Sequence, residues 1–181
     1  MKISIFKNQY IIMVTLVTGG IKSGKSHFAL KLTEGYNNKL FIATLEVIDS
    51  ETEEKVKRHK NERKFAFSTI EEPVQIVNVL KNNIIKYDII VIDCINIWIN
   101  NLIFYKINIT EYVDRFIDFL TMNNNTTNII IVTNEVGQSI IPIDTDSRNF
   151  INFLGITNQK LASVADNVYL LAVGIPIRIK G

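Results

Sequence analysis

The sequence predicts an α/β fold in which a mostly parallel sheet is flanked by helices on both faces. Short runs rich in Val, Ile and Phe alternate with segments of helical pattern along the chain, which is the order that repeated strand–helix–strand units produce. The run at 87–94, YDIIVIDC, is continuously apolar in its centre, as expected of a strand buried on both faces. A glycine-rich turn follows the first apolar run and precedes the first helical segment. Ligands of such sheets bind at the carboxyl ends of the strands.

Each element follows from a local pattern. Strands are predicted where β-branched and aromatic residues cluster between turn residues, at 13–18, 39–43, 64–69, 87–94, 129–137 (with its trailing loop), 167–174 and 175–180. Helices are predicted at about 25–35, 50–64, 73–86, 95–104, 110–122 and 147–164. Pro73 suits a first helical position, where its missing amide costs nothing. Gly174 and Pro176 split the last two apolar runs, which therefore predict a terminal β-hairpin.

The length and composition indicate one domain in the cytoplasm. A chain of 181 residues with 47% hydrophobic residues can bury a single core. We assign this domain to residues 13–181 and interpret Met1 to Ile12 as an N-terminal extension. The net charge of +2 offers no field to hold nucleic acid or an anionic membrane. Cys94 is the single cysteine, which suits a reducing compartment, and no run approaches the ~20 apolar residues of a membrane span.

The segment from Gly19 to Ser26, GGIKSGKS, matches the pattern G-x-x-x-x-G-K-[ST] of phosphate-binding loops. Its glycines permit the backbone conformations that turn successive amides towards an anion, and the following helix adds its unpaired amides. Lys25 is expected to reach the β and γ phosphates of ATP or GTP. The nucleotide contacts predicted in this loop are Gly19, Gly20, Ile21, Lys22, Ser23, Gly24, Lys25 and Ser26.

Asp93 ends the apolar strand at 87–94, where the ligands of open α/β sheets lie. The Ser26 hydroxyl and the Asp93 carboxylate are the predicted ligands of a Mg²⁺ ion that neutralises the phosphates. Asp88 stands at the opposite end of the same strand, and we interpret it as a solvated turn residue.

The segment 50–64, SETEEKVKRHKNERK, predicts a polar helix that opens with a capping box. It has almost no apolar stripe to bury. Lys55, His59 and Arg63 share one face at i,i+4 spacing, which places a potential nucleophile among cations that stabilise a phosphate. A solvated helix held by ion pairs explains the same pattern. The residues of this segment alone leave both interpretations open.

Taken together, these segments resemble the bifunctional adenosylcobinamide kinase / adenosylcobinamide-phosphate guanylyltransferase of cobalamin biosynthesis. The resemblance is colinear from LVTGGIKSGKS through FIATLEVIDSETEEKVKRHKNER, IIVIDCINIWINNL and TNEVGQSIIP to GITNQKLASVADNVYLLAVGIPIRIK. The loop motif occurs in many families, whereas the histidine-containing segment, TNEVG and NQKLA..AD are specific to this one. Lys22 stands where the family commonly has Arg, and Leu45 and Glu46 stand where small or polar residues are common.

The resemblance implies a P-loop enzyme of RecA-like topology, expected to be a homo-oligomer, that performs two successive reactions. It phosphorylates adenosylcobinamide with ATP or GTP, then transfers GMP from GTP to adenosylcobinamide-phosphate and so forms adenosylcobinamide-GDP through a guanylylated histidine. The family's nucleophile falls on His59, and Lys25 serves catalysis within the loop. The family's other guanine-nucleotide contacts fall on Ala43, Thr44, Leu45, Lys60, Asn61, Glu62, Arg63, Glu71 and Asp93.

Two other functions fit parts of the sequence. A P-loop kinase for another small alcohol or nucleotide would leave His59 an ordinary surface residue. A RecA-like module that uses NTP hydrolysis to remodel a partner is a second alternative, although the near-neutral charge disfavours nucleic acid as that partner. Asn134 and Glu135 follow a buried strand, and they either face the ligands or satisfy only the backbone of their own loop.

Overall fold

One seven-stranded sheet organises the part of the chain that the structure describes. The structure is a computed structural model and describes residues 13–46, 67–122, 127–138 and 141–181. The strands are β1 (Val14–Gly19), β2 (Lys39–Ala43), β3 (Ser68–Glu71), β4 (Ile89–Asp93), β5 (Asn128–Val132), β6 (Asn167–Ala172) and β7 (Ile175–Lys180). They lie in the order β3-β2-β4-β5-β1-β6-β7. Every neighbouring pair is parallel except β6 with β7, so the mostly parallel sheet and its C-terminal hairpin are both confirmed.

Helices cover the two faces of this sheet unequally. They are α1 (Lys25–Lys31), α2 (Ile76–Asn83), α3 (Ile95–Phe104), α4 (Ile109–Thr121) and α5 (Thr145–Val164). Helices α2 to α5 contribute to the larger of two buried clusters, and α1 contributes to the smaller one. Among the described residues, none of the helices combines the length and the apolar character needed to cross a membrane.

Strand β4 shows why its sequence is apolar without alternation. Ile90 and Ile92 belong to the larger cluster, whereas Ile89 and Val91 belong to the smaller one. All four are at most 2% exposed. Each buried side chain of this size contributes about 1.5–3 kcal/mol to folding, so both faces of the strand stabilise the sheet.

Helix α2 begins later than the sequence pattern predicts. It starts at Ile76 rather than at Pro73. The Glu72 carboxylate accepts hydrogen bonds from the amides of Val74 (3.0 Å) and Gln75 (2.7 Å). These bonds hold the chain in a turn before the helix, because a side-chain acceptor competes with helical hydrogen bonding.

Other boundaries also differ from the predicted ones by a few residues. Helix α5 begins at Thr145, two positions earlier than predicted, because the Asp144 carboxylate caps it by accepting the Ser147 amide at 2.7 Å. Helix α1 ends at Lys31 instead of reaching Gly35. Strand β3 spans Ser68–Glu71, and the first part of the strand predicted at 64–69 lies outside the described residues.

The parallel arrangement brings several loops to one edge of the sheet. Ala43 at the end of β2 pairs with Asp93 at the end of β4, and Asp93 pairs with Val132 at the end of β5. Gly19 ends the neighbouring strand β1. The segments that follow these strands therefore surround a common space at the carboxyl edge, where open α/β sheets bind ligands.

Candidate active site

The loop from Gly19 to Ser26 joins β1 to α1 at this edge. The φ angle is 147° at Gly19 and 95° at Gly24. Residues other than glycine rarely adopt such values. A Cβ atom at Gly19 would also lie 2.5 Å from the carbonyl oxygen of Leu171. Lys22 adopts φ 56° within the same loop. A backbone of this kind turns successive amides towards one point and forms an anion-binding concavity.

The side chain of Lys25 lies against this loop. It is only 7% exposed, and its Nζ donates a hydrogen bond of 2.6 Å to the carbonyl of Gly20. Burial lowers the pKa of Lys25 below its ordinary 10.5, while the neighbouring Asp93 carboxylate acts in the opposite direction. An ammonium group that is partly removed from water attracts phosphate oxygens more strongly, because the local dielectric is lower.

Asp93 lies within electrostatic reach of Lys25. As the apolar run predicts, β4 ends at Asp93, so this carboxylate stands at the carboxyl edge on the side of the loop. Asp88 occupies the other end of the strand, is exposed, and accepts the amides of Asn37 and Asn38. This difference in position agrees with the interpretation of Asp88 as a turn residue.

The donors available at this edge suit a Mg²⁺ ion that is bound together with phosphates. Ser26 is the second residue of α1 and supplies a hydroxyl, and Asp93 supplies a carboxylate. Within the described ranges, no group of three or more His, Cys, Asp or Glu is arranged to hold a metal ion. Magnesium commonly takes one or two protein ligands and completes its octahedron with phosphate oxygens and water, so this small donor set fits.

The segment after β2 is tied to the segment after β4. The Thr44 hydroxyl donates to the Cys94 carbonyl at 2.8 Å and accepts from the Cys94 amide at 2.9 Å. Asn101 on α3 donates to the carbonyls of Thr44 (2.8 Å) and Pro73 (3.0 Å). Burial, together with the neighbouring charge of Asp93, raises the pKa of the Cys94 thiol. The thiol is therefore protonated at neutral pH, as expected of a structural cysteine.

The loop after β5 contacts the phosphate-binding loop directly. The Glu135 amide donates to the Gly19 carbonyl at 3.0 Å. Asn158 on α5 accepts from the Thr133 hydroxyl at 2.7 Å and donates to the Asn134 carbonyl at 3.0 Å. The Glu135 carboxylate accepts the amide of Gly137, which favours the interpretation that this loop satisfies its own backbone.

The turn of the C-terminal hairpin contacts the other side of the phosphate-binding loop. The Gly174 amide donates a hydrogen bond of 3.0 Å to the Ser23 carbonyl. The side chain of Ser23 is 8% exposed, and its hydroxyl has no hydrogen-bond partner among the described residues. The hairpin turn therefore supports the phosphate-binding loop from the side of β6 and β7.

Comparison with known proteins places the chain in a family. The family model described as "Cobinamide kinase / cobinamide phosphate guanyltransferase", CobU, matches residues 15–179. The chain belongs to this family. The bifunctional adenosylcobalamin biosynthesis protein CobU of Salmonella typhimurium is 31% identical over 93% of this chain and 100% of its own length. Its namesake in Escherichia coli is 29% identical, and the CobP protein of Pseudomonas aeruginosa is 27% identical, each over 93% of this chain.

A solved structure supports the fold of this CobU family member. An ATPase from the type III secretion system of pathogenic bacteria superposes with a TM-score of 0.52 at 6% sequence identity. The match covers 92% of this chain but only 56% of the ATPase. The likeness shows a shared fold and nothing about substrates.

The structure places several of the predicted site residues at one edge of the sheet. The loop from Gly19 to Ser26 and Asp93 come together, and Ala43 pairs with both Asp93 and Glu71 across neighbouring strands. Leu45 follows Ala43 and the fully buried Thr44. The predictions for the polar helix at 50–64 lie outside the described residues, as do those for His59, Lys60, Asn61, Glu62 and Arg63. The extension Met1 to Ile12 also lies outside them.

Proposed function

We propose that this chain phosphorylates adenosylcobinamide with ATP or GTP and then guanylylates the product. In the second reaction it transfers GMP from GTP to adenosylcobinamide-phosphate, through a guanylyl-histidine at His59, and forms adenosylcobinamide-GDP. The observation that supports this most directly is the buried Lys25, which contacts the glycine-rich loop and interacts electrostatically with Asp93. Membership of the CobU family connects this phosphate site with a corrinoid substrate.

In the phosphorylation step the protein mainly positions the phosphates and neutralises their charge. The loop amides and Lys25 would hold the β and γ phosphates while the substrate hydroxyl attacks the γ phosphorus and releases its proton to water. The bond from that phosphorus to the β–γ bridging oxygen breaks, and the electron pair leaves with the nucleoside diphosphate. A Mg²⁺ ion held by Ser26 and Asp93 would supply further positive charge when bound.

In the guanylylation step a neutral imidazole nitrogen of His59 would attack the α phosphorus of GTP. A P–N bond forms, the α–β phosphoanhydride bond breaks, and pyrophosphate leaves with the electron pair. A phosphate oxygen of adenosylcobinamide-phosphate then attacks the same phosphorus, breaks the P–N bond and regenerates His59. Lys60 and Arg63 would offset the negative charge that develops at the phosphorus.

Radiolabelling tests this proposal. The protein is incubated with Mg²⁺ and GTP that carries ³²P in its α phosphate, then denatured and separated from free nucleotide. Wild-type protein should retain the label in a bond that is labile to acid and stable to alkali, and His59→Ala should retain none. His27→Ala is the matched control, since His27 is the only other histidine of the chain and is exposed on α1.

The labelling assay, combined with a measurement of ³²P transfer from γ-labelled ATP to adenosylcobinamide, separates the two parts of the proposal. Lys25→Ala should lose both phosphorylation and labelling if both reactions use one loop. Equal labelling of wild-type and His59→Ala would reject His59 as the nucleophile, and phosphorylation without any labelling would leave an ordinary kinase.

We further propose that the enzyme is a homo-oligomer that acts in the cytoplasm. A corrinoid is larger than one shallow cleft, so neighbouring subunits would contribute walls to its site. Light scattering coupled to size-exclusion chromatography measures the subunit number under assay conditions. A strictly monomeric protein with full activity would contradict the proposal.

A further inference from the structure

The turn between β6 and β7 has an unusual residue at its tip. Ala172 pairs with Ile175, so the turn consists of Val173 and Gly174 alone. Both have positive φ, 47° at Val173 and 85° at Gly174. A two-residue hairpin turn with positive φ at both positions strongly prefers Asn, Asp or Gly at its first position. A β-branched residue is disfavoured in that conformation.

Packing does not explain why valine occupies this position. The side chain of Val173 is 91% exposed, so it buries little apolar surface against the described residues. The residue therefore carries backbone strain without a compensating contact within that part of the chain. Strained residues of this kind persist at sites of ligand binding more often than elsewhere.

The position of the turn indicates which ligand it would contact. The Gly174 amide bonds the Ser23 carbonyl at 3.0 Å, and a Cβ atom placed on Gly24 would lie 3.4 Å from the Gly174 Cα. The exposed Val173 side chain therefore stands at the rim of the phosphate-binding loop. It lies on the β6–β7 side of β1. Glu71, which the family resemblance predicts as a guanine-nucleotide contact, ends β3 at the opposite end of the sheet.

We propose that Val173 is an apolar contact for the base of the nucleotide whose phosphates occupy this loop. A nucleobase carries its hydrogen-bonding groups on its edges and presents an apolar face. An aliphatic contact with that face does not distinguish adenine from guanine, which agrees with a phosphoryl donor that is either ATP or GTP. This inference rests on the proposed function, because it requires phosphates in the loop.

The variant Val173→Asn tests this contact, because it suits the turn while removing the apolar surface. Titration calorimetry measures the Kd of two probes, the non-hydrolysable ATP analogue adenylyl imidodiphosphate with Mg²⁺, and inorganic tripolyphosphate with Mg²⁺. We expect the analogue to bind about tenfold more weakly to Val173→Asn, since the lost contact is comparable to burying much of one valine side chain. The affinity for tripolyphosphate should be unchanged, because that probe has no base.

A matched control is Ile85→Asn. Ile85 is an apolar residue that is 79% exposed. It lies between α2 and the amino end of β4, whereas the phosphate-binding loop lies at the carboxyl ends of the strands. This variant should bind both probes as wild-type does. The thermal unfolding midpoint of Val173→Asn without ligand should equal or exceed that of wild-type, because asparagine relieves the strain of the turn.

Each result has a distinct meaning. Equal affinity of wild-type and Val173→Asn for the nucleotide analogue would overturn the proposed contact and leave the phosphate site intact. An equal loss of affinity for both probes would also overturn it, since Val173 would then act only by positioning the loop. Failure of wild-type protein to bind tripolyphosphate would instead reject the phosphate site on which the proposed function depends.

Discussion

The Thr44 hydroxyl links the segment after β2 to the segment after β4 by bonding both backbone groups of Cys94. It donates to the carbonyl at 2.8 Å and accepts from the amide at 2.9 Å, and Thr44 is fully buried. Because Cys94 directly follows Asp93, these bonds fix the backbone beside the predicted metal ligand. Thr44 therefore has a positioning role that its place in the sequence does not reveal.

Thr44→Val should destabilise the protein while keeping its shape. The Cys94 amide would lose its acceptor in a buried place, which costs about 1–3 kcal/mol. The Cys94 carbonyl still accepts from the Trp98 amide, so most of the cost comes from the amide. Urea unfolding measures the free energy, and Thr44→Ser is the control, since it keeps the hydroxyl. A loss in Thr44→Ser as large as in Thr44→Val would contradict the role of the hydroxyl.

Local patterns predicted most of the fold because they report local physics. The continuous apolar run of β4 indicates burial on both faces, and Ile90 and Val91 indeed pack into different clusters. The spacing of Gly19, Gly24 and Lys25 predicted the loop between a strand and a helix for the same reason. Such patterns depend only on residues that are close together in the sequence, so the sequence alone is enough to recognise them.

The contacts that surround the loop could not be predicted in this way. Ser23 meets Gly174, and Gly19 meets Glu135, but these pairs are far apart in the chain and no local pattern links them. The predicted start of α2 at Pro73 was wrong. The Glu72 side chain accepts hydrogen bonds from the amides of Val74 and Gln75, and this turn competes with helix formation at Pro73.

Asn158 should influence phosphate binding although it lies on α5. In wild-type protein the Asn158 side-chain amide donates to the Asn134 carbonyl at 3.0 Å. Asn158→Asp keeps the acceptor for Thr133 but replaces this donor with an oxygen. We expect a loss of about 1–3 kcal/mol in stability and weaker binding of tripolyphosphate, because the displaced loop pulls on Gly19 through Glu135. Urea unfolding and titration calorimetry measure the two effects.

The control for this prediction is Asn152→Asp, the same substitution at an exposed position of the same helix. It should change neither stability nor binding appreciably. If Asn158→Asp lost stability but bound tripolyphosphate with wild-type affinity, Asn158 would support the fold alone.

Gly19 and Gly20 should respond very differently to alanine. A Cβ atom at Gly19 would lie 2.5 Å from a backbone oxygen at a φ of 147°, whereas one at Gly20 meets nothing within 4 Å. Gly19→Ala should cost about 2–4 kcal/mol, as overpacking and backbone strain combine. Gly20→Ala should change stability by only about 0.5 kcal/mol or less. Equal unfolding free energies for the two variants in urea would disprove this geometry of the loop.

The lowered pKa of Lys25 predicts opposite pH trends for binding and for folding. Burial holds this pKa below the ordinary value of 10.5, so in the window between the two values the unfolded chain binds more protons than the folded chain. The free energy of unfolding should therefore gain a contribution from Lys25 as pH rises through that window. Binding of tripolyphosphate should weaken over the same window, because the ammonium that attracts it is lost.

Calorimetric titrations and urea unfolding from neutral pH towards 10.5, each compared with Lys25→Met, measure both slopes. If Lys25→Met shows the same two slopes as wild-type, another group is responsible.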